Sequence, residues 1–153
     1  MEFIYCVLYL IISGIIVFFI GRIVPRKWIF ENKFPFKSFK FEKNGKIYEK
    51  LKVQKWKTKL PDASVIINKI VPGFMPIKRM KIKSKEYIKI LEKESCIAEI
   101  NHVIVSVLGL LCMRIWKKTG GKIISIAYIL FNIPFIIIQR YNRPRLNKLA
   151  NNL

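Results

Sequence analysis

One histidine, three cysteines and nine acidic residues stand against 29 Lys and Arg in a chain of 153 residues. Because His102 is alone, a multi-histidine metal centre is excluded. The Glu99-x-x-His102 spacing is half of a carboxylate di-iron pattern, and that fold needs the motif twice, so no metal is expected. Cys6, Cys96 and Cys112 lie in or beside apolar stretches at wide, unpatterned spacing. They suggest neither a disulfide framework nor a zinc site and read as packing residues. No internal repeat or low-complexity tract is present.

What the chain does have is 52% hydrophobic residues together with a formal charge of +20. A soluble nucleic-acid binder would carry the charge without long apolar runs, and no recognised RNA module is present, so no nucleic-acid partner is expected. The two features segregate along the sequence. Phe3 to Gly21 contains no charged residue and is long enough to cross the hydrocarbon core as a helix. From Arg22 to Cys96 there are 21 Lys/Arg and seven Asp/Glu. An anchor followed by a polybasic surface fits anionic membrane lipid, or a phosphorylated or acidic substrate, as partner. The leader carries Glu2, no basic residue and no A-x-A-like site, so it does not read as a cleavable signal peptide. The excess of Lys and Arg after the anchor places residues 22–96 on the cytoplasmic face of the cell membrane.

Two further apolar runs follow, 97–113 and 123–138, slightly short for full spans, and then a basic tail, 139–153. The expectation is one all-α membrane-embedded domain over residues 1–153, with about three apolar helices and basic interfacial segments. Full crossing by both later runs would put Arg114, Lys117, Lys118 and Lys122 outside, against the positive-inside rule, whereas a hairpin that dips in would keep every basic segment on one side. Phe34, Phe36, Phe39 and Phe41 alternate with Lys37, Lys40 and Lys43, which suits rings dipping into headgroups while lysines meet phosphates. Asn44-Gly45 signals a turn. Ile47, Tyr48, Leu51, Val53, Trp56 and Leu60 recur at helix-like intervals and predict one interfacial helix ended by Pro61. Residues 63–82 read as a loop with short helical pieces, and Ser84 as the cap of the next helix.

Glu99, Asn101 and His102 lie within an apolar run. A carboxylate near the bilayer centre costs roughly 3 kcal/mol, and each Leu, Ile or Val returns only about 0.3 to 0.6. Such a segment inserts comfortably only if its polar groups find partners. At i, i+3 the two ionisable groups share a helix face. A carboxylate that accepts from one imidazole nitrogen fixes the tautomer and makes the other nitrogen a base toward an alcohol attacking a carbonyl. The alternative is a plain helix–helix polar contact. Ser106, four residues beyond His102, lacks an elbow motif for a nucleophile. Three arginines fall within six residues at Arg140, Arg143 and Arg145, in a chain that otherwise prefers Lys. Their planar, multi-donor heads suit bidentate phosphate or carboxylate contacts, although they would also serve as a stop-transfer cap.

Gln139-Arg140-Tyr141-Asn142-Arg143-Pro144-Arg145-Leu146, preceded by Asn132-x-Pro134, resembles the terminal signature of the glycosyl-4,4′-diaponeurosporenoate acyltransferases. Phe36-Lys37-Ser38-Phe39 with Phe41-Glu42-Lys43 and Gly45-Lys46, Lys55-Trp56-Lys57-x-Lys59 with Asp62, and Ala98-Glu99-Ile100-x-His102 agree in order and spacing. The matches cover roughly residues 36 to 66 and 96 to 147, about half the chain. The H-x4-D pattern of glycerolipid acyltransferases is absent, since position 107 is Val.

The resemblance implies an integral membrane O-acyltransferase late in staphyloxanthin-type carotenoid synthesis. It would move a fatty acyl group onto the glucose 6-hydroxyl of a glycosylated C30 carotenoid or similar glycolipid. No cofactor is implied beyond an acyl thioester co-substrate, acyl-CoA or acyl carrier protein. On this reading His102 is the general base and Glu99 orients it. Arg140, Arg143 and Arg145, with Tyr141 and Asn142, hold the donor phosphates or polarise the carbonyl, and Asn132 joins them in binding substrate. Trp56, Lys57, Lys59 and Asp62 form the interfacial mouth, with Asp62 on sugar hydroxyls. The rival expectation is a non-catalytic membrane protein that binds anionic lipid or assists assembly.

Overall fold

A computed structural model describes residues 1–76 and 84–153. The fold is all-α, and no strand occurs among the described residues. Helix α1 (Glu2–Ile23) is followed by short elements α2 (Lys46–Lys50), α3 (Val53–Trp56) and α4 (Ala63–Ile70), and then by α5 (Lys85–Gly109), α6 (Cys112–Ile115) and α7 (Thr119–Asn151). Three helical stretches, Glu2–Ile23, Lys85–Ile115 and Thr119–Asn151, are long and apolar enough to cross a membrane. The two later helices do not stop where their apolar runs stop. At 25 and 33 residues α5 and α7 are roughly 38 and 50 Å long, against about 30 Å of hydrocarbon. The stretch 139–153, expected as a tail, continues α7 as far as Asn151.

By compactness the chain divides into two units: Met1–Trp28 with Ile97–Ile137, and Ile29–Cys96 with Ile138–Leu153. In the first unit the governing requirement is that backbone carbonyls freed at helix ends find donors where water is scarce. Between α5 and α6 the chain passes through Leu110 and Leu111, and side chains add hydrogen bonds to the carbonyls around this junction. Tyr9 Oη donates to Leu108 O at 3.1 Å, Ser125 Oγ to Gly109 O at 2.8 Å, and Cys6 Sγ to Cys112 O at 3.8 Å. At the end of α1, Arg26 Nη1 donates to Arg22 O and Val24 O at 2.7 and 2.9 Å. The three cysteines are free and buried, as expected of packing residues.

Glycines set how closely these helices approach. A Cβ on Gly109 would lie 2.7 Å from Tyr128 Cδ1, and one on Gly21 would lie 2.5 Å from the Asn101 amide. A Cβ on Gly121 would meet the Trp116 and Cys112 carbonyl oxygens at 2.1 and 2.6 Å. Small residues at such positions are the usual means of bringing apolar helices into contact.

In the second unit the expected single interfacial helix is broken. Lys52 has φ 53°, and the chain forms α2, α3 and a 3₁₀ turn over Lys57–Lys59. The cause is packing. Tyr48 and Val53 are both buried, yet residues five apart on a continuous helix point about 140° apart. The break turns both inward. The Asn44-Gly45 turn forms as expected, with Lys43, Asn44 and Gly45 all at positive φ. Asp62 caps α4 by accepting from Ser64 N at 3.0 Å, and Ser84 Oγ accepts from Tyr87 N at 3.2 Å, the cap that the sequence predicts. The loop expected over 63–82 thus contains a two-turn helix, and its portion 77–82 lies outside the described residues.

Gly121→Ala is expected to lower stability by about 1–3 kcal/mol or more, because backbone cannot move aside. Gly14→Ala, where the nearest atom is Tyr128 Oη at 3.9 Å, should be neutral or stabilising by up to ~1 kcal/mol. Comparing unfolding of the two variants in mixed micelles tests this; equal effects would contradict the packing described.

Candidate active site

Two constellations of polar side chains stand out, one in each unit. In the first unit, Glu99 and His102 sit one turn apart on α5, Glu99 being 5% exposed and His102 half-buried. Across from them, on α7, is Asn132, which is 3% exposed. Asn132 Nδ2 donates to the Tyr128 carbonyl at 2.8 Å, which only the amide nitrogen can do. That fixes Asn132 Oδ1 toward His102 Nδ1, 2.8 Å away. An acceptor at this position requires the proton on Nδ1, so a neutral His102 ring carries its lone pair on Nε2. Phe135 stacks on the imidazole at 4.9 Å, which restricts its rotation. The group that sets the tautomer at Nδ1 is therefore Asn132, to which the sequence reading gave a substrate-binding role. Ser106 Oγ donates to the His102 backbone carbonyl at 2.7 Å.

The second unit is organised around Glu42, 1% exposed. Its carboxylate accepts from the Tyr48 hydroxyl, from Phe39 N at 2.7 Å, and from Arg140 Nε and Nη2, the latter at 3.2 Å. Arg140 also donates to the Pro35 and Lys37 carbonyls at 3.4 and 3.3 Å, and its guanidinium lies 4.5 Å from the Phe39 ring centroid. One turn on, Arg143 donates to Phe36 O at 2.5 Å and covers the Phe36 ring at 5.5 Å. Phe36, one of the four rings expected to dip into headgroups, thus packs under an arginine, while Phe34, Phe39 and Phe41 are 83, 40 and 63% exposed. Burial alone would push the Glu42 carboxyl up. Arg140, Tyr48 and the Phe39 N–H outweigh it and hold the group below the usual carboxylate range. Burial, and then the Glu42 charge, push the Tyr48 phenol well above its ordinary value.

On another face of α7 a second cationic group forms. Lys57 Nζ donates to Asn142 Oδ1 at 3.0 Å and lies 4.9 Å from the Tyr141 ring centroid, and Arg145 lies 5.0 Å from the same ring. Tyr141 is buried and its hydroxyl reaches Gln54 Oε1 at 3.4 Å. The half-exposed Arg145 pairs with Glu49 at 3.6 Å, a surface contact worth little. Lys57, Tyr141, Asn142 and Arg145 are therefore brought together. Of the remaining sequence-predicted residues, Trp56 donates from Nε1 to Leu51 O at 3.1 Å, Lys59 is exposed, and Asp62 serves as the α4 cap. Glu42 and Tyr48 were given no role from sequence. The available signal was an acid among lysines in a resembling stretch, but its partner lies 98 residues away.

A family model described as glycosyl-4,4'-diaponeurosporenoate acyltransferase matches residues 25–152. The chain belongs to that family. Curated relatives bearing the same name include proteins of Staphylococcus aureus strain bovine RF122 / ET3-1, 36% identical over 149 residues, and of strain N315, 35% identical. Each alignment covers 95% of this chain and 86% of the relative. No solved structure matches. As a member of the family the chain is an acyltransferase, and its three apolar helices are consistent with a membrane location. Among the acyltransferase's described residues, no group of three or more His, Cys, Asp or Glu could hold a metal ion.

Two outcomes follow for the acyltransferase. Glu42→Gln should destabilise it by about 3–5 kcal/mol, because Arg140 is left buried without its counter-charge, whereas Tyr48→Phe should cost only ~1 kcal/mol. Because the folded carboxyl is depressed, its stabilisation is complete above the ordinary carboxylate range and is lost as pH falls through the folded value. The amide protection factors over residues 39–50, corrected for the intrinsic pH dependence of exchange, should accordingly be flat from about pH 8 to 5 and fall below about pH 4. An onset near neutrality would contradict the pairing.

Proposed function

We propose that the acyltransferase esterifies a fatty acyl group from a thioester donor onto the glucose 6-hydroxyl of a glycosylated C30 carotenoid, at the membrane, in a staphyloxanthin-type pathway. The observation that carries this reading is the family match over residues 25–152, with relatives of the same printed name at 35–36% identity over nearly the whole chain. The side-chain chemistry supports it. His102, with its proton held on Nδ1 by Asn132, has the Nε2 lone pair needed to take a proton from an attacking hydroxyl. Glu99, buried one turn earlier on the same helix face, would help to orient the imidazole.

The donor is a coenzyme A or carrier-protein thioester. Both bear phosphate, and in the second unit the Lys57–Tyr141–Arg145 group with Asn142 is the place where cations gather to meet it. Arg140 and Arg143 support that group by holding the segment around Phe36 and Glu42. The lysines alternating with exposed Phe34, Phe39 and Phe41 give this region an affinity for the anionic, cytoplasmic face of the cell membrane.

Purified protein in nanodiscs, supplied with a palmitoyl thioester and a glucosylated C30 carotenoid, should yield the 6-O-acyl product. His102→Ala should lower kcat by about 10²- to 10⁴-fold. Asn132→Asp, which retains an acceptor for Nδ1–H, should lose far less than Asn132→Leu. Arg145→Ala should raise the donor KM and leave the acceptor KM unchanged. Turnover near wild type in His102→Ala would remove the general-base assignment.

A further inference from the structure

Helix α1 is paired along its length with one stretch of the first unit. A Cβ on Gly21 would lie 3.0 Å from Ile97 Cγ2, and Tyr9 Oη donates to Leu108 O at 3.1 Å. Cys6 Sγ donates to Cys112 O at 3.8 Å, and the Phe3 ring stands edge-on to Trp116 at 6.5 Å. As the position on α1 falls from 21 to 3, its partner rises from 97 to 116. The two segments are antiparallel, and Phe3 to Gly21 spans roughly 27 Å, close to the thickness of the hydrocarbon core. Trp116 and the turn after it therefore lie at the Met1 end of α1, with Arg22 at the other end. Four cations, Arg114, Lys117, Lys118 and Lys122, crowd around that turn, and all four are exposed. No acid follows Glu99 in the sequence, and among the described residues none of the four side chains meets a carboxylate, that of the exposed Glu2 included. The turn is held in place, since a Cβ on Gly120 would fall 2.2 Å from the Trp116 ring. Cations at the end opposite Arg22 run against the positive-inside tendency, so this cluster calls for an anionic partner. Its neighbours indicate what kind. Leu110, Leu111, Met113 and Ile123 are exposed beside the cations, and an indole such as that of Trp116 favours the membrane–water boundary. A partner that carries negative charge and hydrocarbon in one molecule fits both, and that is an anionic phospholipid.

We propose that the turn between α6 and α7 binds the phosphate of an anionic phospholipid in the leaflet that meets the Met1 end of α1. Lys117, Lys118 and Lys122 donate to the phosphate, and the flanking Leu, Met and Ile side chains lie beside the acyl chains. The same register carries the second apolar run across the bilayer, and α7 returns antiparallel to it, with Ser125 on Gly109 and Asn132 on His102. This contact is separate from the aromatic–lysine segment around Phe39 and stands without the acyl-transfer reading.

The test uses full-length protein in nanodiscs, with Trp28→Phe and Trp56→Phe so that Trp116 is the sole indole. Quenching of Trp116 is compared for phosphatidylglycerol and phosphatidylcholine, each brominated near the ester end of one acyl chain. The parent should prefer the anionic lipid about fivefold or more, the effect of one cation near an anionic surface. Lys117→Gln/Lys118→Gln should bring the ratio near one, whereas Lys117→Arg/Lys118→Arg, with the charge kept, should preserve it. Equal quenching by the two lipids in the parent, or a preference that survives the Gln pair, would overturn the site. So would loss of the preference on adding glycerol phosphate at constant ionic strength, which would make a soluble phosphate the occupant. A membrane-impermeant maleimide checks the register, and the native cysteines, all buried, give the blank. Lys118→Cys and Glu2→Cys should label from one side of the membrane and Lys27→Cys from the other. Labelling of Lys118→Cys and Lys27→Cys from the same side would overturn the placement of the turn, and the lipid site with it.

Discussion

Stripped of water, a carboxylate must be answered by donors placed around it, and Glu42 is the group on which the second unit turns. Its four donors come from a backbone N–H, a phenol and two nitrogens of one guanidinium, so the segment before it, the helix after it and α7 are drawn to a single point. The same guanidinium continues to the carbonyls of Pro35 and Lys37 and stacks on Phe39. A buried ion pair is weak evidence for stability when compared with an apolar replacement. It is strong evidence that the geometry is fixed, because neither partner tolerates loss of the other.

Around the α5–α6 junction the first unit answers the same constraint with neutral groups. Where α5 gives way to α6, carbonyls that a continuous helix would satisfy are taken up by Tyr9 and Ser125, each from a different helix. Asn132 belongs to this class. By donating to Tyr128 within its own helix it presents an oxygen to His102 and decides which imidazole nitrogen holds the proton. A structural hydrogen bond thereby becomes a chemical one.

For an acyltransferase with nine acids against 29 Lys and Arg, this division of labour matters. The cations fall into two sorts. Arg140 and Arg143 are held against carboxylate, carbonyls and rings, and they order the chain. Lys57 and Arg145 converge on one tyrosine ring of the same helix, and Glu49 pairs with Arg145. Arginine suits the first task because its fork can satisfy several acceptors at once, and a lysine in its place could not reach them all.

The all-α class, the three apolar helices and the Ser84 cap were legible in the chain, since apolar run length, period and capping chemistry are local properties. So was the family, from the terminal run and the aromatic–lysine segment. The break at Lys52 was not legible, because Tyr48 and Val53 must both turn inward for reasons that lie elsewhere in the unit. Nor was the length of α7, whose last turns are polar in sequence yet helical through packing against Glu92, Ser95 and Glu42. By itself the sequence determined which residues carry charge and which stretches are apolar enough to cross a membrane. Only the tertiary structure decided which arginine meets a carboxylate, and which nitrogen of the sole histidine bears its proton. Those outcomes depend on donors and acceptors that the chain keeps 30 to 98 residues apart and the fold brings within 3 Å.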